Sequence, residues 1–308
     1  VFVLIVPNVV LCFTEPLPLV AKIANVLLPL GCYYLIMTLS RNCGKMLWIL
    51  FLFVFFGAFQ IVLLYLFGQS IIAVDMFLNL ATTNSSEAME LLDNLLPALI
   101  TIVILYIPAL ILGMISIVRK RMLSVRFIHR ERRRAWVVLG AGLVSLGAAF
   151  LLDKKYEMTS DLYPVNVCYN VVLAVERNAR TLDYEETSKD FTFNAAATHP
   201  AEDREIYVLV VGETSRALNW SLYGYDRETN PKLSEVSGLT AFTNVLTQSN
   251  TTHKSVPMLM SAVSAENFDS IYHQKGIITA FKEAGFKTAF FSNQRYNNSF
   301  IDFFGKEA

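Results

Sequence analysis

The run Ile206–Val211 (IYVLVV) is continuously apolar over a strand's length and delivers Gly212, Glu213 and Thr214 in succession. A buried strand that stops there sets a carboxylate at its carboxyl end, the edge at which open α/β sheets bind ligands. Taken alone, Glu213 leaves two roles open: a metal ligand, or the cap of a helix opening at Thr214. Further on, Thr251 and Thr252 stand side by side where a helix is expected to open, near Thr252–Ser255. A hydroxyl at a helix start lies beside backbone N–H groups and the positive end of the dipole, which favour a phosphoryl oxyanion. A plain capping role is the alternative for either threonine. His253, adjacent to both, reads as a solvated or capping group. Asn79, Thr83 and Glu87 recur at a spacing of four and share one face if their segment is helical; a helix cap with a solvated face is the bland reading.

The elements around these residues alternate. Ala241–Leu246 and Lys287–Ser292 read as further strands and Gly276–Ala284 as a helix, so the part from 206 to 308 is expected to be α/β with a mainly parallel sheet. That stretch is short for a doubly wound domain, and the sheet is expected to be incomplete at its C-terminal side.

The first half is different in kind. Of the 308 residues, 54% are hydrophobic, and the longest apolar runs all fall within 1–152. Met46–Phe67, polar only at Gln60, and Leu95–Val118 are long enough to span a bilayer. Leu17–Leu39, with Lys22 near one end, and Trp136–Leu152 are read as two more. Val1–Phe13 reads as a span already under way, which gives five, and the chain is expected to be a fragment or to carry a reset numbering. Uncharged runs of this length exclude an ordinary soluble core.

The formal net charge is zero, from 26 basic and 26 acidic residues, yet the basic ones are segregated. No Lys or Arg occurs from Met46 to Val118, whereas Arg119, Lys120, Arg121, Arg126, Arg130, Arg132, Arg133 and Arg134 crowd the next loop. That bias places the loops near 41–45 and 119–134 in the cytoplasm and everything after Asp153 outside. A basic run wedged between spans reads as a topology determinant touching anionic lipid, not as a nucleic-acid site. A linker follows, 153–205, in which Tyr163–Ala179 suits a helix at the membrane surface or an ordinary connecting helix. Of the four cysteines only Cys168 falls in the external part, so no disulfide is expected within it.

Taken together, VVGETSR, LYGYDRETNP and TNVLTQSNTTHKSVPMLMS resemble the phosphoethanolamine transferases that modify lipid A, which include the mobile colistin-resistance enzymes of the alkaline phosphatase and sulfatase superfamily. The resemblance implies a membrane α-helical bundle followed by a sulfatase-like domain in the periplasm, anchored in a bacterial inner membrane. It implies that Glu213 ligates zinc and that Thr252, three residues before the serine of Ser255-Val256-Pro257, is both nucleophile and ligand. It implies that Asn79, Thr83 and Glu87 contact the ethanolamine head group, with Asn293 and Gln294 as further substrate contacts. The implied reaction moves phosphoethanolamine from phosphatidylethanolamine to lipid A or a related envelope glycan through a phospho-threonine; a phosphoglycerol transferase or an anchored sulfatase-like hydrolase is the alternative. Two departures stand out. Where many members brace the nucleophile helix with a disulfide, this chain has Gln248 and Met258. The family's later Asp-His pair is absent, and His129, His199, His253 and His273 form no such motif. The 308-residue chain is therefore expected to be inactive and to hold zinc weakly, the remaining ligands lying beyond Ala308.

Overall fold

The computed structural model describes all residues except 69–70, 83–94, 199–203, 213–214 and 295. The chain divides into two compact units, Val1–Glu176 and Arg177–Ala308.

The first unit is helical. Its main helices are α1 (Phe2–Thr14), α2 (Leu19–Met37), α3 (Cys43–Ile49), α4 (Phe51–Phe67), α5 (Val74–Thr82), α6 (Leu96–Val118) and α7 (Val125–Leu152), and α8 (Val165–Leu182) continues into the second unit. Among the described residues, three helices are long and apolar enough to cross a membrane: α2, α6 and α7. The pair Cys43–Ile49 and Phe51–Leu66 makes a fourth if its 63° bend lies within one span. Three or four of the five expected spans thus meet that length and apolarity, and the one read as already under way is α1, a shorter apolar helix of 13 residues.

Small residues let these helices touch. A Cβ on Gly31 of α2 would sit 2.6 Å from Leu139 Cα of α7, and one on Gly142 of α7 would sit 2.7 Å from Leu28 Cα of α2. A Cβ on Gly44 of α3 would sit closer still, 2.1 Å from the carbonyl oxygen of Gly113 on α6. Between apolar helices in lipid there is no water to exclude, so backbone proximity through glycine is a principal source of packing energy.

The basic stretch expected as a loop is mostly helix. α7 begins at Val125, with the Ser124 hydroxyl accepting from Phe127 N, and carries Arg126–Arg134 as its first turns. Arginine is a good helix former, and nothing in that run stops a helix. Ile128, Glu131, Ala135, Gly142 and Ala149 are its buried face, a helical spacing. There Glu131 takes the Tyr34 hydroxyl and pairs with Arg130 and Arg134 at 3.0 Å. Arg132 Nη2 donates to Thr38 O at 2.6 Å, setting a cation on the C-terminal end of α2.

Gln60, the lone polar residue of its run, is fully buried, and its Oε1 accepts from Ile72 N at 3.1 Å while Asn170 of α8 donates to Ile72 O at 2.7 Å. Two side chains thus satisfy both backbone groups of a buried Ile72. Elsewhere in this unit the hydroxyls of Tyr33, Tyr106 and Tyr163 and the side-chain oxygens of Asn8 and Asn166 are buried with no hydrogen-bond partner among the described residues. A buried polar group that nothing meets costs about 1–3 kcal/mol.

The second unit has its core around Tyr184, Val256, Met258, Ile271, Tyr272 and the Phe300, Phe303 and Phe304 cluster of a short C-terminal helix. The helices expected near 252 and 276 form, as α9 (Thr252–Leu259) and α10 (Ile277–Glu283). The strands do not. No strand occurs among the described residues, and Ile206–Val211, Ala241–Leu246 and Lys287–Ser292 run as irregular chain. Val208 and Val210 are 79% and 82% exposed. A strand takes both its hydrogen bonds and its buried faces from neighbours, so an apolar run with no neighbour does not become one.

Two outcomes are expected. Gly31→Val or Gly142→Val drives a side chain into the facing backbone and lowers stability by about 1–3 kcal/mol or more, read as thermal unfolding in detergent. Glu283 accepts from Ala195 N and Phe193 N at 3.0 Å and from the Thr192 hydroxyl at 2.9 Å, and these bonds, Ala195 foremost, hold its carboxyl below the usual carboxylate range. Its folded pKa being depressed, the tie is present at neutral pH and is lost as pH falls through that lowered value. Glu283→Gln should therefore raise hydrogen exchange at 193–195 at neutral pH, as acidification does in the unsubstituted chain.

Candidate active site

Thr252 is the first residue of α9, and Thr251 is its N-cap. The helix starts there because Thr251 O accepts from both Lys254 N at 3.1 Å and Ser255 N at 2.9 Å. The Thr251 side chain makes no capping bond; its hydroxyl lies 3.2 Å from Ser249 Oγ instead. The two threonines are thereby separated: one shapes the entry to the helix, the other opens it. Thr252 is half-buried, on the turn preceding Val256, Pro257 and Met258, all three of which are buried. The apolar end of α9 is thus anchored in the core while its first turn stays accessible.

Gln248 and Met258, which stand where the resemblance places a disulfide, have other work. Gln248 Oε1 accepts from Ala265 N at 2.7 Å, tying the chain before α9 to the start of the next helical stretch. Met258 is buried in the core cluster. A hydrogen bond and apolar burial brace α9 at both ends, and all four cysteines are free.

The GYDRETNP segment holds its own loop. Thr229 Oγ1 donates to Asn219 O at 2.7 Å and accepts from Ser221 N at 2.9 Å. Asn230 Oδ1 takes both Ser221 Oγ at 2.7 Å and Leu222 N at 3.1 Å. Gly224 has φ +92°, a conformation that side chains disfavour, and Pro231 begins a helical turn. The Thr, Asn, Pro and first Gly of that motif thus have a local structural role that residue types alone did not reveal. The signal was there in the Asn-Pro pair, a turn initiator.

Asn293 and Gln294 are exposed in an irregular turn, with Gln294 N donating to Ser292 Oγ at 3.1 Å. Asn79 is helical in α5. Thr83, Glu87 and Glu213 lie outside the described residues. Among the described residues no group of three His, Cys, Asp or Glu could hold a metal ion. Thr252 and its described surroundings do not by themselves fit a zinc site, which normally takes three protein ligands.

Residues 205–308 match the family model described as Sulfatase. The chain is 38% identical over 84 residues to phosphoethanolamine transferase EptA of Escherichia coli K12, which is 27% of this chain and 15% of that relative. It is 30% identical over 131 residues to phosphatidylethanolamine transferase Mcr-1 of Escherichia coli, covering 40% of this chain and 24% of the relative. With phosphoethanolamine transferase CptA of Salmonella typhimurium it shares 31% over 116 residues, 35% of this chain and 20% of the relative. The chain thus spans a quarter or less of the length of these three curated relatives. No solved structure matches it. Residues 205–308 are thus similar to the sulfatase family, in a chain similar to the phosphoethanolamine transferases.

Proposed function

We propose that the protein transfers phosphoethanolamine from phosphatidylethanolamine to lipid A or a related envelope glycan, with Thr252 as nucleophile. The observation that carries the reading is Thr252 at the first position of α9, three residues before Ser255-Val256-Pro257, within a sulfatase-family match. The Thr252 hydroxyl attacks phosphorus, the bond to the diacylglycerol oxygen breaks, and that oxygen leaves with a proton. The acceptor oxygen then attacks the phospho-threonine and frees the Thr252 hydroxyl. The first turn of α9 offers backbone N–H dipoles to the charge that develops on the phosphoryl oxygens.

The metal proposed for this chemistry is zinc, with Glu213 and Thr252 as the groups of this chain that meet it. Bound there, a zinc ion would lower the pKa of a coordinated hydroxyl and take up transition-state charge. Asn79, Thr83 and Glu87 are proposed to receive the head group, where the Glu87 carboxylate suits its ammonium. Asn293 and Gln294 are proposed as further contacts. The membrane half is proposed to lie in a bacterial inner membrane, with the loops near 41–45 and 119–124 and the first turns of α7 inside and the part after Asp153 in the periplasm. The arginine-rich first turns of α7, followed at once by Trp136 and an apolar run, support that orientation.

In the full-length protein Thr252→Ala should abolish transfer together with the covalent intermediate, followed by mass spectrometry of the α9 peptide. Thr251→Ala should change stability by less than about 0.5 kcal/mol, because its side chain makes no capping bond. A phosphoethanolamine adduct on Thr251 would reverse the assignment. Glu213→Ala should lower zinc occupancy and activity in parallel, measured by metal analysis of the purified protein. A periplasmic reporter fused after Asp153 should be active and one fused near Arg126 silent; the opposite pattern removes the active domain from its substrates.

A further inference from the structure

The polar residues at one end of the helical unit do not close their own hydrogen bonds. Asn8, 1% exposed, donates through Nδ2 to Asn25 O at 2.8 Å and to Tyr163 O at 2.7 Å. Both partners are carbonyls, so the amide orientation is settled by the bonds it makes, and Oδ1 is left aimed elsewhere without a partner among the described residues. Asn25 is engaged elsewhere: its Nδ2 donates to Asp161 O at 2.6 Å and its Oδ1 accepts from the Tyr156 hydroxyl at 2.6 Å. Beside this network lies a small cavity lined by Asn8, Glu15, Lys22, Asn25, Asp161 and Tyr163.

We propose that this cavity is a binding site for one internal water molecule, which donates to Asn8 Oδ1 and finds its other partners among Glu15, Lys22 and Asp161. Size selects the ligand, the remaining walls being Leu11, Cys12, Leu17 and Ile71. The cavity measures about 10 Å³ for the centre of a water-sized sphere, and roughly 10–15 Å³ on that measure holds a single water. A lipid head group is several times too large. A water also needs two to four polar partners, which this lining supplies. The site joins α1, through Asn8, to α2, through Lys22 and Asn25, and to the turn at Asp161–Tyr163. It would tie α1 to α2 and to that turn through one shared hydrogen-bonding centre.

X-ray hydroxyl-radical footprinting of the full chain in lipid nanodiscs, in water enriched in oxygen-18, tests the site. A resident water generates radicals where it is held, so Leu11, which lines the cavity and is 5% exposed, should be labelled several-fold faster than Ile72, 0% exposed in the same unit. Cys12→Leu, which fills the cavity from its own wall, should remove the excess label on Leu11 and lower the melting temperature, because Asn8 Oδ1 loses its partner. Should that variant fail to fold, the labelling ratio in the unsubstituted chain decides alone. Equal labelling of Leu11 and Ile72 overturns the proposal, whether because the Lys22 ammonium meets Asn8 itself or because the cavity is dry.

Discussion

Glycine at Gly31 and Gly142 brings α2 and α7 within direct reach of each other's backbone at Leu139 and Leu28, and the rest of the helical unit depends on that approach. Once the two axes are this close, Glu131 can reach Tyr34 and Arg132 can reach the end of α2 at Thr38. Those polar contacts could not form across a gap filled by larger side chains. Gly44 against Gly113 does the same for α3 and α6, where Asn42 Nδ2 then donates to Ser116 O at 3.1 Å. In each pair a missing side chain sets the distance and a polar group near the helix end sets the register.

The arginines of α7 divide by the same geometry. Arg130 and Arg134 are spent on the buried Glu131 and Arg132 on Thr38, so three cations of the run neutralise or cap groups of the protein itself. A carboxylate as buried as Glu131 needs such pairing, since a lone charge in an apolar bundle is strongly disfavoured. Arg126 and Arg133 are exposed and available to the membrane surface. A charge run that looks uniform thus holds two populations.

Around the candidate nucleophile the pattern is one of bracing. The hydrophobic end of α9 is buried through Val256, Pro257 and Met258, the preceding chain is tied by Gln248 to Ala265, and the loop at 219–231 is closed by Thr229 and Asn230. A nucleophilic hydroxyl gains from such support, because its position depends on neighbours that are themselves packed. At the two positions where the resemblance places a disulfide, this chain has a side-chain hydrogen bond at one and a buried methionine at the other.

What could be read in the sequence were the features set by local rules. Apolar length marked α2, α6 and the bent α3–α4 pair, and Thr252 and Gly276 marked helix starts. Each depends on a few adjacent residues and on the helix's internal hydrogen bonds. What only the tertiary structure decided were the non-local matters. Glu131 gained its partner only when Tyr34 of α2 came within reach, and Gln60 acquired a purpose only when Ile72 came opposite it. The runs expected as strands show the same rule from the other side. IYVLVV has every local mark of a strand, yet Ile206–Val211 remains irregular and exposed. A helix closes its hydrogen bonds within one segment, whereas a strand must borrow them from another, and no composition of six residues can supply that second segment.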